Sequence, residues 1–257
     1  MWLEHLAELS GKEKKELAGI SEHQPFRLAA IHEHLKAIGD PDAEVFGGGV
    51  DTFQAGVPLG VEGMPWVPEV FEAKVKWRKY DPTSAVENAS AVQQQFRKEQ
   101  EMGAMVEVEE LDARKEYGDR LRVAALAALE KSDHSFRVVH DATHGVGVNS
   151  KIKVEDQLRY PGPAEIKMAL QSLMPATFVL AAGVSRAHRL VKVKRAEWGL
   201  QACKTGVDDA GLPSSKVWLN TVGTFGVIPP LLITSRGCWE GSSDAPTPSW
   251  GGGMSVS

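Results

Sequence analysis

The stretch Leu180-Ala-Ala-Gly-Val-Ser-Arg-Ala-His-Arg189, continued by Leu190-Val191 and followed downstream by Asn220-Thr-Val-Gly-Thr-Phe-Gly226, decides how the chain is read. Apolar residues dominate 176–183 and bases crowd the positions after it. That pattern predicts a strand at 176–183, a bend at 184–188 and a basic strand at 189–195 reaching Trp198, the two strands paired. A helical pattern at 163–174 leads into the first strand, so helix and paired strands together predict an α+β fold.

The basic character is local. Within 186–204, Arg186, Arg189, Lys192, Lys194, Arg195 and Lys204 stand against one acid, Glu197, a net charge of +5. Residues 101–119 reverse the sign, with seven acids against Arg114 and Lys115, a net of −5. The whole chain has 29 Lys plus Arg against 34 Asp plus Glu, which excludes a molecule that binds polyanions by bulk charge. The basic segment has the density to follow a phosphate backbone, and it equally fits a solvated strand edge and turn.

A chain of 257 residues, 42% of them hydrophobic, is long enough to bury a core and corresponds to one domain or two small ones. Cys203 and Cys238 give neither a disulfide framework nor a zinc spacing, which favours a reduced, intracellular setting in nucleus or cytoplasm. The acidic, amphipathic start lacks the basic head and apolar run of a signal peptide. The most apolar run, 168–184, is interrupted by Gln171, Ser172 and Pro175 and falls short of a bilayer span, so no membrane partner is expected.

Leucines and alanines at three- and four-residue spacing predict helices at 2–18 and 26–38. Gly and Pro between 47 and 70 predict extended loops holding an apolar plug at Pro65-Trp66-Val67-Pro68. A third helix is predicted over 82–104, with Pro82 in its first turn, a buried stripe of Val86, Ala89, Val92, Phe96 and Met102, and Gly103 ending it. An Ala/Leu-rich piece at 121–129, a turn at 132–135 and a β-rich run at 136–139 follow. Residues 234–257 are poor in apolar positions and read as a disordered tail. The expected division is therefore 1–80, a helical then Gly/Pro-rich N-terminal extension; 81–233, the main folded region; and 234–257, the tail.

Two constellations invite a chemical reading and fail it. His140 and His144 have zinc-helix spacing around Asp141, but the glutamate base and a third ligand are missing, and the flanking Asp, Thr and Gly favour a strand running into a loop. Asp208-Asp209 lies in a turn-rich segment without the flanking apolar strands that hold paired carboxylates toward metals. Gly223-Thr-Phe-Gly226 does not match a phosphate loop, and there is neither a nucleophile elbow nor a dinucleotide fingerprint.

Five pieces in order resemble the fingers and first half of the palm of retroelement reverse transcriptases, which are RNA-directed DNA polymerases. They are similar in particular to divergent retrotransposon polymerase-like reading frames of dinoflagellates. Gln93-Gln-Gln-Phe96 through Met105 resembles the helix before the fingers. Phe136-Arg137 to Asp141, with Gly145 to Asn149, resembles the Arg-x-x-x-Asp-…-Asn fingers signature. Arg159-Tyr-Pro-Gly-Pro163 resembles the segment feeding the first palm helix, Leu180 to Val191 resembles motif A, and Asn220 to Val227 resembles the approach to motif B. Gly56 to Gly60 and Phe71 to Lys74 resemble that subgroup's N-terminal extension.

The resemblance implies a partial right-hand polymerase fold and a set of roles. Arg137, with Lys131 as its neighbour, would hold triphosphate oxygens, and a planar guanidinium suits that task. His188 would lie under the incoming sugar. Phe225 and Gly226 would sit near the template–primer pair, and Arg186, Arg189, Lys192, Lys194 and Arg195 would line RNA or DNA. The family uses Mg2+ or Mn2+ held by one motif A aspartate and two in motif C. Here Gly183 stands at the motif A position, and no Tyr-x-Asp-Asp follows residue 227, so no catalytic residue and no metal cofactor is expected. The expectation is a catalytically inactive reverse-transcriptase-like fragment; the alternatives are a non-catalytic nucleic-acid-binding module and a non-functional, truncated remnant.

Overall fold

The computed structural model describes residues 1–21, 25–61, 83–153, 162–172 and 186–227. It is a mixed helix-and-sheet protein. Among the described residues no helix is long and apolar enough to cross a membrane.

The first predicted helix is two. Helix α1 (Trp2–Ser10) ends where Gly11 adopts a left-handed φ of 68° and its N–H caps the Ala7 carbonyl; α2 (Lys14–Leu17) then restarts the chain. Leu6, Leu17 and Ala30 of α3 (Leu28–Ile38) pack together as one apolar cluster. On its other side α3 packs Leu28 and Leu35 against Phe46, Phe53, Val57 and Val191, tying the N-terminal helices to the rest of the chain. Phe46 and Phe53 stack with ring centroids 4.7 Å apart.

The predicted helix at 82–104 is also split, into α4 (Thr83–Glu87) and α5 (Ala89–Glu101). The break falls at Asn88, whose Nδ2 donates to the Ser84 carbonyl at 2.8 Å and so competes with the backbone ladder. Ala89, Val92 and Phe96 of the expected stripe are buried, whereas Val86 and Met102 are exposed and Ala85 is buried in the place of Val86.

Beyond α5 run β1 (Met105–Glu109), α6 (Glu110–Tyr117), β2 (Val123–Ala124), β3 (Leu126–Glu130), β4 (Phe136–His140), α7 (Pro163–Ser172), β5 (Ala202–Cys203) and β6 (Lys216–Asn220). The main sheet has the order β1-β6-β5-β2, with β1 and β6 antiparallel from Met105↔Asn220 to Glu109↔Lys216 and only β2–β5 parallel. β3 and β4 form a separate antiparallel hairpin, from Leu126↔His140 to Glu130↔Phe136. Phe96 of α5 meets Trp218 of β6 edge to face at 5.6 Å, and Met105, Leu126 and Cys203 complete that core.

The predicted basic strand at 189–195 is not a strand. A 3-10 turn at Ala187–Leu190 gives way to single bridges, Lys192 to Val222 and Val193 to Val57, and then to a second 3-10 stretch at Arg195–Gln201. Side chains override the pattern: Arg189 turns in to Glu99, and Trp198 Nε1 donates back to the Val193 carbonyl at 2.7 Å. The strand at 176–183 with Gly183, the first half of the bend, the 65–68 plug and the 234–257 tail lie outside the described residues.

Candidate anion-binding cleft

A cleft of about 890 Å³ opens between α5, the β3–β4 hairpin and the turn at 186–190. Helix α5 presents Gln94, Lys98 and Met102 at four-residue spacing, with Gln95 and Glu99 beside them, while Val92 and Phe96 face the core. The hairpin brings Lys131 at its tip and Phe136, Arg137, Val138 and His140 along β4. Its turn is held by Asp133, which accepts from the Ser135 N–H at 3.0 Å and hydroxyl at 2.6 Å; those bonds lower the Asp133 pKa. Arg186, His188, Arg189, Thr224 and Phe225 close the opposite wall, with Cys203 and Asn220 at the base.

Of the residues read from sequence, Lys131, Arg137, Arg186, His188, Arg189 and Phe225 thus share one cleft. Arg137 lies with Cζ 5.7 Å from the Phe225 ring centroid, and His188 meets that ring edge-on at 6.1 Å. Phe225 is 43% exposed. Burial, then the charges of Arg189 and Arg186, lower the His188 pKa, so its imidazole is neutral at pH 7. Gly226 makes the wall possible from outside it, because its backbone has φ +110° and an added Cβ would lie 2.0 Å from the His140 carbonyl oxygen. That approach lets the His140 N–H donate to the Phe225 carbonyl at 3.0 Å.

The cations divide into two groups. Arg186 and Arg189 both donate to the buried carboxylate of Glu99, Arg189 Nη2 at 2.9 Å. Arg189 also donates to Asn220 Oδ1 at 2.7 Å and to the Gly223 carbonyl at 3.2 Å, and burial lowers its pKa. Its work is to tie α5 to the 220–223 segment. Lys98, Lys131 and Arg137 have no carboxylate partner among the described residues. Lys192, Lys194 and Arg195 do not line the cleft; Lys194 pairs with Asp51 at 2.6 Å, and Arg195 pairs with Glu116 at 3.3 Å while covering Trp198.

Glu99, Lys98, Gln94, Gln95 and Asn220 were not evident as site residues in the sequence. The polar face of α5 carries the spacing that would signal them, yet a solvated helix face has the same spacing.

Among the described residues, the remaining titratable groups that the sequence singled out are held in structural contacts. His140 is buried and directs Nε2 at the Ala202 carbonyl at 3.0 Å, and burial pushes its pKa down to about 4. Burial pushes the Cys203 thiol up to about 12, so it is not a thiolate at neutral pH. His144 pairs with Asp141 at 3.0 Å, at the strand-to-loop junction expected from sequence. Asp209 receives Arg97 Nε at 2.7 Å and its pKa is lowered by it, while Asp208 Oδ1 accepts the Ala210 and Leu212 N–H groups, both at 2.9 Å. The Asp-Asp pair is therefore used by an ion pair and a turn. Among the described residues, the cleft offers three lining cations that form no ion pair, Lys98, Lys131 and Arg137, the last over an accessible aromatic ring, which suits phosphate and planar groups. No protein-family model matches the chain, and no curated protein matches it.

Proposed function

We propose that this chain is a reverse-transcriptase-like fingers–palm unit, a partial right-hand polymerase fold, that retains the phosphate-binding side of its cleft without phosphoryl-transfer chemistry. It binds nucleotide or nucleic acid, RNA or DNA, and does not extend a primer. The observation that carries the reading is the convergence of Lys131, Arg137, His188 and Phe225 on one cleft. These four come from three separate stretches, Lys131 and Arg137 sharing the hairpin, and the resemblance alone gave them phosphate, sugar and stacking roles.

The loss of chemistry follows from the sequence. In-line phosphoryl transfer requires rigid carboxylates around two metal ions. Gly183 stands where the resemblance places the motif A aspartate. Removing such groups forfeits several kcal/mol of transition-state stabilisation, typically about 3–4 kcal/mol for one electrostatic contact.

Two measurements test the two halves. Primer extension with Mg2+ or Mn2+ gives no template-dependent product; robust incorporation overturns the inactivity. Fluorescence anisotropy with a labelled single strand shows salt-sensitive binding that Arg137→Ala and Lys131→Ala each weaken about 3- to 10-fold. Binding indifferent to both variants overturns the cleft assignment.

A further inference from the structure

The hydrogen-bonding phase of the β3–β4 hairpin leaves one strand edge open inside the cleft. Lys131 N–H donates to the Ser135 carbonyl at 2.8 Å and Asp141 N–H to the Ala125 carbonyl at 2.9 Å, with Leu129↔Arg137 and Ala127↔Val139 in register between them. Antiparallel bonding alternates along a strand, so 135, 137, 139 and 141 bond toward β3, and Phe136, Val138 and His140 turn their N–H and C=O outward. On the far edge of the hairpin the outward Ala128 N–H is capped by Ser84 Oγ at 3.0 Å. On the cleft edge the His140 N–H is taken by the Phe225 carbonyl. Among the described residues the outward N–H and C=O groups of Phe136 and Val138 have no partner.

The side chains beside this edge alternate in character. Phe136 and Val138 pack on the apolar cluster of α5, while Arg137 points to the other face, over Phe225. We propose that the open edge of β4 receives an acidic, extended peptide segment of a partner protein as an added strand. A carboxylate lies opposite Arg137 and aliphatic residues lie opposite Phe136 and Val138. A segment of about three residues spans the edge.

Charge selects this occupant over its rivals. Lys98, Lys131 and Arg137 on the cleft walls form no ion pair among the described residues. A second copy of this chain pairing antiparallel through the same edge, in the register centred on Arg137 that uses both Phe136 and Val138, would set Arg137 against Arg137, a like-charge cross-strand pair. A nucleic-acid strand satisfies the two N–H groups but brings phosphate against the two outward carbonyls, whereas a peptide edge supplies donors and acceptors alternately. The inference stands independently of the nucleic-acid reading. Both ligands need Arg137, so they exclude one another.

The test titrates the 15N-labelled full chain with acetyl-Thr-Val-Glu-Val-Thr-amide and follows the Phe136 and Val138 amides. Those two amides shift and become protected, and a Thr-Val-Lys-Val-Thr version binds about tenfold more weakly. Arg137→Glu reverses the preference between the two peptides. N-methylation of either both valines or the glutamate abolishes binding, while the other methylated peptide binds within about threefold of the parent. Equal binding of the acidic and basic peptides overturns the proposal, as does tolerance or loss with both methylated versions, because an added strand turns one edge to β4. Binding of a (dT)10 strand without any peptide binding overturns it in favour of nucleic acid alone. Protection of the same amides by concentration-dependent dimerisation, read by sedimentation, overturns it in favour of a second copy.

Discussion

Gly226 and His140 meet at the end of β4, and each constrains the other. At φ +110° with its α-carbon against the His140 carbonyl, residue 226 has no room for a side chain. Gly226→Ala is expected to cost on the order of 2–4 kcal/mol, read as a lower urea midpoint at unchanged slope. His140 supplies a pH dependence. Its folded pKa is depressed from 6.5 to about 4 by burial, so the unfolded chain binds the extra proton first as pH falls. The stability from neutral His140 is complete above pH 6.5 and drains away between 6.5 and about 4, by up to roughly 3 kcal/mol. Chemical denaturation at pH 7, 6 and 5 measures the slope, and His140→Phe flattens it if this residue is the source. From the sequence, His140 read as a strand end and not as a ligand, but its burial was not legible, because the Ala202 carbonyl it meets lies 62 residues away.

At the scale of elements, α5 organises the molecule through a residue that periodicity does not mark. Gln93 is 1% exposed and its Oε1 accepts the Trp218 indole N–H at 3.1 Å and the Thr205 hydroxyl at 2.8 Å. Gln93→Leu keeps the bulk and strands the indole N–H, a loss of about 1–3 kcal/mol that denaturant unfolding followed by tryptophan fluorescence detects. The stripe of α5 was readable because helix burial repeats along the chain. The five-residue strand β1 was not, since its alternation in Met105–Glu109 is short and its partner is the distant Lys216–Asn220. The basic segment misled in the opposite direction: 189–195 has strand-like composition, yet Arg189 is drawn to Glu99 and the backbone coils into a 3-10 turn.

For the whole molecule, the net charge of −5 conceals a cleft where three cations form no ion pair among the described residues. If Lys98, Lys131 and Arg137 each neutralise one phosphate, single-strand affinity falls with a log–log salt slope near −2, at about 0.7 per contact. Arg137→Ala reduces that slope by about 0.7. Arg186→Ala reduces it by less, because Arg186 shares the Glu99 carboxylate with Arg189. Anisotropy titrations across salt concentrations separate these outcomes.

The sequence by itself determined the helical stretches, the Gly and Pro breaks and the local clustering of bases. Each is a property of neighbours along the chain, where helix periodicity, turn chemistry and residue identity are written directly. Only the tertiary structure decided which bases are available. Ion pairs form between groups brought within about 4 Å from distant positions, and the interaction falls away with distance and solvent, so linear charge density cannot rank them. Glu99 pairs with both Arg186 and Arg189, Asp51 takes Lys194 and Glu116 takes Arg195. Lys131 and Arg137, set outside the basic run, are left facing the cleft.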